Sequence, residues 1–271
     1  MSARSWVNQL QSRPGGLRMI AVDLPGHGES DPASGADVAQ YAAVIADFLA
    51  ALECGPVVVV GHSLGGSIAI ELAARRPELV RGLVLIASCV RLPLIDSVGE
   101  RLVGFLPGPL RRLLFFSMAK KVLFAPGAAA EAIEIAMRDL RACRPETLMA
   151  DVRAARSMDL TAQAASLEVP TLVLAGARDR LTTPALAERL HALIRRSRLA
   201  IVEDVGHMLP MEAPERVNRE IAAFVGSLAD ARPASPAVAA DRPSLAGRVR
   251  AWRARLAGNR RAPTAGDTRR N

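Results

Sequence analysis

Three residues far apart in the chain have the types and order of a nucleophile, an acid and a base: Ser63, Asp179 and His207. A serine hydroxyl is too weak an acid to attack a carbonyl unaided, so a base must take its proton and later deliver it to the leaving group. A carboxylate behind the imidazole fixes the ring tautomer and steadies the transient positive charge. Ser63 stands in Gly61-His62-Ser63-Leu64-Gly65-Gly66, a G-x-S-x-G pattern. A serine at such a strand-to-helix turn needs neighbours without side chains, and Gly61 and Gly65 are expected to provide them. On its own the pattern also fits a glycine-rich turn that merely packs a helix onto a strand. An acid and a histidine downstream, in that order, favour the nucleophile.

Competing residues are present. His27 lies in a glycine turn, His62 inside the elbow and His191 in a helix, and each reads as structural or solvent-exposed. Glu203 and Asp204 are rival acids, but they are too close to His207 along the chain for a long-range orienting contact.

The elements that must position these groups follow from periodicity. The β-branched run Pro56–Val60 predicts a strand into the elbow, and Ser67–Ala74 a helix out of it. Further strands are expected over Leu17–Asp23, Val80–Ser88, Pro170–Gly176 and Arg198–Glu203. Helices are expected over Ser5–Leu10, Asp37–Glu53, Pro184–Arg195 with Thr183 as its cap, and Pro214–Leu228. Strands alternating with helices predict an α/β fold with a parallel sheet, and such sheets carry working groups at the carboxyl ends of their strands. Ser63, Asp179 and His207 each fall just beyond such an end.

Between 89 and 157 the strand signal stops and helical patterns take over. Phe105, Phe115, Phe116 and Phe124 fall here with Arg111, Arg112, Lys120 and Lys121. The segment reads as a helical lid, apolar toward the sheet and charged toward water. Residues 1–88 and 158–229 then make the core, and 230–271 a basic Ala/Pro/Arg-rich tail.

The net charge of +8 belongs to that tail, where residues 231–271 hold ten arginines and two acids; the other 25 basic and 25 acidic residues cancel. The body is therefore neutral, which disfavours nucleic acid as a partner. Leu245, Val249, Trp252 and Leu256 have helical spacing among arginines, so the tail reads as disordered with a basic amphipathic stretch able to touch a membrane surface or an acidic partner. Cys54, Cys89 and Cys143 form no C-x-x-C pair, and their odd count argues against a disulfide framework, which suits a reducing, cytoplasmic setting. No cofactor loop or metal-ligand cluster is expected.

From Ser5 to about Leu228 the sequence resembles the α/β-hydrolase superfamily. The resemblance rests on Asp23-Leu24-Pro25-Gly26-His27-Gly28-Glu29-Ser30, the elbow at 61–66, the 176–179 segment, and Gly206-His207 with Glu212 and Pro214 after it. It implies a cofactor-free Ser-His-Asp hydrolase with a helical cap: Ser63 as nucleophile, His207 as base, Asp179 as acid and the Leu64 amide as an oxyanion donor. Serine at the elbow sets the chain apart from the branches whose nucleophile is a carboxylate. Family members usually begin with three further strands and a His-Gly loop that supplies a second oxyanion donor. Neither is found before Ser5, so Met1 is expected to be an internal start, with an open edge left inside the sheet.

These features together predict hydrolysis of an ester, thioester or related acyl compound with an apolar acyl part, through an acyl-serine intermediate. A non-catalytic binding or scaffold protein is the competing class. Peptidase, lactonase, carbon–carbon hydrolase and haloperoxidase chemistries share the fold.

Overall fold

Among the described residues, four β-branched or leucine-rich runs pair into one parallel sheet: β1 (Val57–His62), β2 (Val80–Ile86), β3 (Thr171–Gly176) and β4 (Ser197–Val202), in that spatial order. The computed structural model describes residues 2–32, 37–93, 108–230, 247, 249 and 250. In register, Val60 lies beside Val84, Leu85 beside Val173, and Gly176 beside Val202. A parallel strand covered on both faces must be apolar throughout, and β3 is buried at every position.

Alternation along the strands divides the core into two layers. Leu83, Leu85, Val173 and Ala175 face one side, where they meet Ile68 and Leu72 of helix α3 (Leu64–Arg75), Tyr41 and Ala42 of α2 (Val38–Leu52), and Leu190 of α8 (Pro184–Leu193). Val84, Ile86, Leu172 and Leu174 face the other, against Val217, Ile221 and Phe224 of α10 (Pro214–Asp230). Burying each such side chain contributes roughly 1.5–3 kcal/mol, so a one-residue slip of either central strand would exchange the two layers. Helix α2 starts in a capping box, in which Asp37 accepts the Gln40 amide and Gln40 accepts the Asp37 amide.

Helices α4 (Gly108–Leu123), α5 (Ala130–Ala142), α6 (Pro145–Ser157) and α7 (Thr161–Ala165) lie between β2 and β3 in the chain. The motif at 23–30 holds α6 down. Asp151 of α6 accepts from His27 Nε2 at 2.8 Å and from the Tyr41 hydroxyl at 2.9 Å, while Thr147 donates to the Gly26 carbonyl. Burial and the Asp151 charge raise the Tyr41 phenol above its ordinary range, which keeps it a hydrogen-bond donor.

Several expectations need correction. Leu17–Asp23 is not a strand. Leu17–Val22 and β1 line the same cavity, about 670 Å³ in volume; no ladder joins them, and extended chain without a ladder partner is not sheet. Strand β1 accordingly ends the sheet among the described residues. The short helix expected to include Ser5–Leu10 is present, as a 3-10 turn over Ala3–Trp6 and helix α1 (Val7–Ser12), which stops at Arg13. Thr183 occupies the cap position of α8, but its side chain makes no capping bond. Of the lid phenylalanines, Phe115 is 41% exposed and so turns away from the sheet, whereas Phe124 is buried with Met208 and Met211. Phe105 lies outside the described residues, as does the expected amphipathic stretch of the tail apart from Gly247, Val249 and Arg250. No helix among the described residues is long and apolar enough to cross a membrane.

Candidate active site

The last residue of β1 is His62 and the first of α3 is Leu64, so Ser63 makes the whole turn between them. Its backbone is held at φ 54°, ψ −124°, a conformation that costs a side-chain-bearing residue on the order of 1–3 kcal/mol. Neighbouring bonds hold it there. The Ser63 amide donates to the Ile86 carbonyl at 2.9 Å, and its own carbonyl accepts the Gly66 amide at 2.9 Å and the Ser88 hydroxyl at 3.0 Å. The crowded glycines are Gly61, where a Cβ would strike the Gly65 carbonyl, and Gly66, where it would strike the Ser88 hydroxyl. Gly65, expected to be the second tight position, has open space around a Cβ. The reason is that its carbonyl, not its α-carbon, faces Gly61.

The turn leaves the Ser63 hydroxyl uncommitted to capping α3 and aims it at His207, with Oγ 3.0 Å from Nε2. On its far side the imidazole lies 2.8 Å from Asp179, Nδ1 to Oδ2. A carboxylate accepts, so Nδ1 carries the proton and Nε2 is bare toward the serine. Asp179 follows β3 and is almost fully buried. Its other bonds come from the Leu181 amide (2.8 Å), the Thr182 amide (3.0 Å) and the Thr182 hydroxyl (2.7 Å). Burial raises the Asp179 carboxyl, but the bond and charge of His207, the Thr182 hydroxyl and the Leu181 amide outweigh it and leave the group below the ordinary carboxylate range.

The structure therefore brings Ser63, Asp179 and His207 within bonding reach. The Leu64 amide opens α3, where a helix has no internal acceptor for it, and the helix dipole favours negative charge. The rival acids are elsewhere: Asp204 pairs with Arg178 at 3.2 Å on the surface, and Glu203 is exposed. Of the other histidines, His27 binds Asp151 and His191 binds the Ser197 hydroxyl. His62 places Nε2 2.7 Å from the His207 carbonyl.

Two contributors escape a reading by motif. Thr182 braces Asp179, and its Oγ1 is 3.1 Å from His207 Nδ1. An acid followed three residues later by threonine is a local turn signal that could have exposed it. Glu212 accepts the amides of Gly206 (3.2 Å), Met208 (3.0 Å) and Ala125 (2.9 Å). The amides of His207 and Met208 in turn donate to the Leu123 carbonyl at the end of α4. The loop bearing His207 is thus fastened to the helices between β2 and β3. Among the described residues, no group of three His, Cys, Asp or Glu could hold a metal ion.

The cavity of about 670 Å³ reaches Ser63 and His207, and its lining also includes Leu24, Leu148, Val152, Met158 and Leu181 beside the β1 valines. An ester placed there would meet a hydroxyl, an imidazole and a helix amide in a largely apolar cleft.

A model of the alpha/beta hydrolase family matches residues 1–220. A pimeloyl-[acyl-carrier protein] methyl ester esterase of Neisseria meningitidis is 33% identical over 196 residues, covering 69% of this chain and 74% of that protein. The protein of the same name from Nitrosomonas europaea is 30% identical over 233 residues, covering 80% and 88%. Among solved structures, a thermophilic esterase from Thermogutta terrifontis superposes with a TM-score of 0.73 at 27% identity, covering 84% of this chain and 86% of that one.

Proposed function

Because the chain belongs to the alpha/beta hydrolase family and is a serine hydrolase of ester substrates, we propose that Ser63 is its nucleophile, His207 its general base and Asp179 the orienting acid. The observation that carries this is the continuous relay of 3.0 Å from Ser63 Oγ to His207 Nε2 and 2.8 Å from Nδ1 to Asp179 Oδ2.

In this reading Ser63 Oγ attacks the ester carbonyl as its proton passes to Nε2. The carbonyl oxygen becomes an oxyanion that takes a hydrogen bond from the Leu64 amide, a donor of a kind worth about 2.7–4 kcal/mol. Asp179, held ionised by its hydrogen bonds, stabilises the imidazolium. Collapse expels the alcohol, which takes the proton from Nε2. Water then attacks the acyl-serine as its proton passes to the same nitrogen, and the acyl–Oγ bond breaks to release the acid while Ser63 Oγ takes that proton back from Nε2.

The substrate is an ester with an apolar acyl chain, a reading supported by the leucine, methionine and valine lining of the cavity. The names of two relatives, both pimeloyl-[acyl-carrier protein] methyl ester esterases, make methyl esters the first compounds to test. Helices α4–α6 form the cap over this cavity. The three free cysteines support a cytoplasmic setting, and the arginine-rich tail suits contact with an anionic surface.

An acyl-chain-length series of methyl and p-nitrophenyl esters, run on the wild type and Ser63→Ala, tests the site. The expected result is a loss of at least about 10⁴-fold in kcat/KM on substitution. Turnover that survives it, or a folded wild type that a fluorophosphonate fails to label at Ser63, would leave the scaffold reading in its place. Flotation with anionic vesicles, comparing the full chain with one stopped at Asp230, tests the tail. Equal binding would end that part of the proposal.

A further inference from the structure

The main chain of His207 is anchored at both ends of the residue, and the two anchors come from different parts of the molecule. Its amide donates to Leu123, at the end of cap helix α4. Its carbonyl accepts from His62 Nε2 at 2.7 Å, across 145 residues of chain. His62 immediately precedes Ser63 and closes the strand on which the elbow stands. Of these anchors, including the Asp179 bond to the ring, His62 alone belongs to the element that carries the serine. A strut between adjacent points on the two partners fixes their separation more tightly than one routed through the cap or through β3.

The chemistry of the contact is determined by its acceptor. A carbonyl oxygen can only accept, so Nε2 of His62 carries the hydrogen. The ring is held neutral: burial and the neighbouring His207 push its pKa down to about 3, against the opposing effect of the bond to the His207 carbonyl. The two imidazoles are 5.0 Å apart between centroids and tilted by 49°. A neutral ring at that distance leaves the positive charge that His207 gains during the reaction unopposed. The G-x-S-x-G spacing asks nothing of the residue before the serine, yet a donor at this position reaches the base.

We propose that His62 is a positioning residue for hydrolysis, holding the His207 main chain through its Nε2–H so that the base stays within bonding distance of Ser63. The proposal rests on the assignment of Ser63 and His207 made above. It distinguishes the donor from the ring that bears it.

The test compares His62→Phe, which keeps an aromatic ring without the donor, with His62→Gln, which keeps an amide donor without the ring. Both are assayed with p-nitrophenyl butyrate for kcat and KM, with a fluorophosphonate for the labelling rate of Ser63, and by thermal melting. For His62→Phe, kcat should fall about 10- to 100-fold with KM within about twofold, and the labelling rate should fall in parallel. His62→Gln should restore kcat to within about fivefold of the wild type. If His62→Phe does not fold, His62→Asn decides, since its shorter amide falls short of the carbonyl and should be as slow as expected for phenylalanine. Wild-type kcat in His62→Phe or His62→Asn, or equal losses in the phenylalanine and glutamine variants, would overturn the proposal. Activity retained by Ser63→Ala would instead overturn the assignment on which it rests, so the two failures are separable.

Discussion

The Glu212 carboxylate accepts the Ala125 amide at 2.9 Å, joining the chain just after His207 to the chain just after α4. The same group takes the amides of Gly206 and Met208, so both peptide neighbours of His207 depend on it.

Glu212→Gln keeps one carbonyl oxygen and sets an amino group against at least one of those donors. Hydrogen bonds to a charged acceptor contribute about 1.5–3 kcal/mol each, and losing one should lower stability by an amount of that order. Urea denaturation measures the loss. A fall in kcat at unchanged KM should accompany it, because the loop that carries His207 loosens.

Ser63 holds a left-handed backbone with a side chain attached. Ser63→Gly and Ser63→Ala should both be inactive but should differ in stability, the glycine variant being the more stable by on the order of 1 kcal/mol. Equal unfolding midpoints would show that the elbow stores no strain.

Thr182→Val removes the hydroxyl that donates to Asp179 Oδ2 at 2.7 Å and leaves the two backbone amides in place. Asp179 then has one partner fewer holding it ionised and oriented. We expect kcat to drop by roughly tenfold, the value of about one hydrogen bond to a charged group, with little change in KM. Steady-state kinetics on a single ester suffice.

Stability should respond to acid through His62. Its folded pKa of about 3 lies below the ordinary imidazole value of 6.5, so the unfolded chain binds the proton more readily. The native state is therefore at full advantage above pH 6.5 and loses ground as the pH falls toward 3, by up to about 1.4 kcal/mol per pH unit. Below pH 3 this contribution is constant. Urea titrations between pH 4 and 7 should give a shallower slope for His62→Gln than for the wild type. Identical slopes would mean that His62 is solvated.

The α/β alternation was legible because a fully covered parallel strand has to be apolar at every position, as Thr171–Gly176 nearly is, and because the elbow is a short local pattern. Ser63, Asp179 and His207 could be singled out for a related reason: each follows a strand end, and strand ends show as breaks in hydrophobic runs. Leu17–Asp23 misled because its apolar run has the composition of a strand, whereas a strand also needs a partner. The part of Glu212 in holding His207 is set by contacts with Ala125, Gly206 and Met208, only two of which are near in sequence. His62 was masked by its own motif, where its position counts as free. Thr183 was read as a helix cap while its neighbour Thr182 bonded the acid, a distinction of one residue that periodicity does not resolve.

The bonds from the amides of His207 and Met208 to the Leu123 carbonyl bear on how this enzyme can be re-engineered. Chimaeras that exchange the whole of α4–α6 between relatives would cut through this fastening and should change turnover along with any change in specificity. Splice points placed before Leu123, with Leu123–Ala125 kept from the parent, should let selectivity and rate be varied separately.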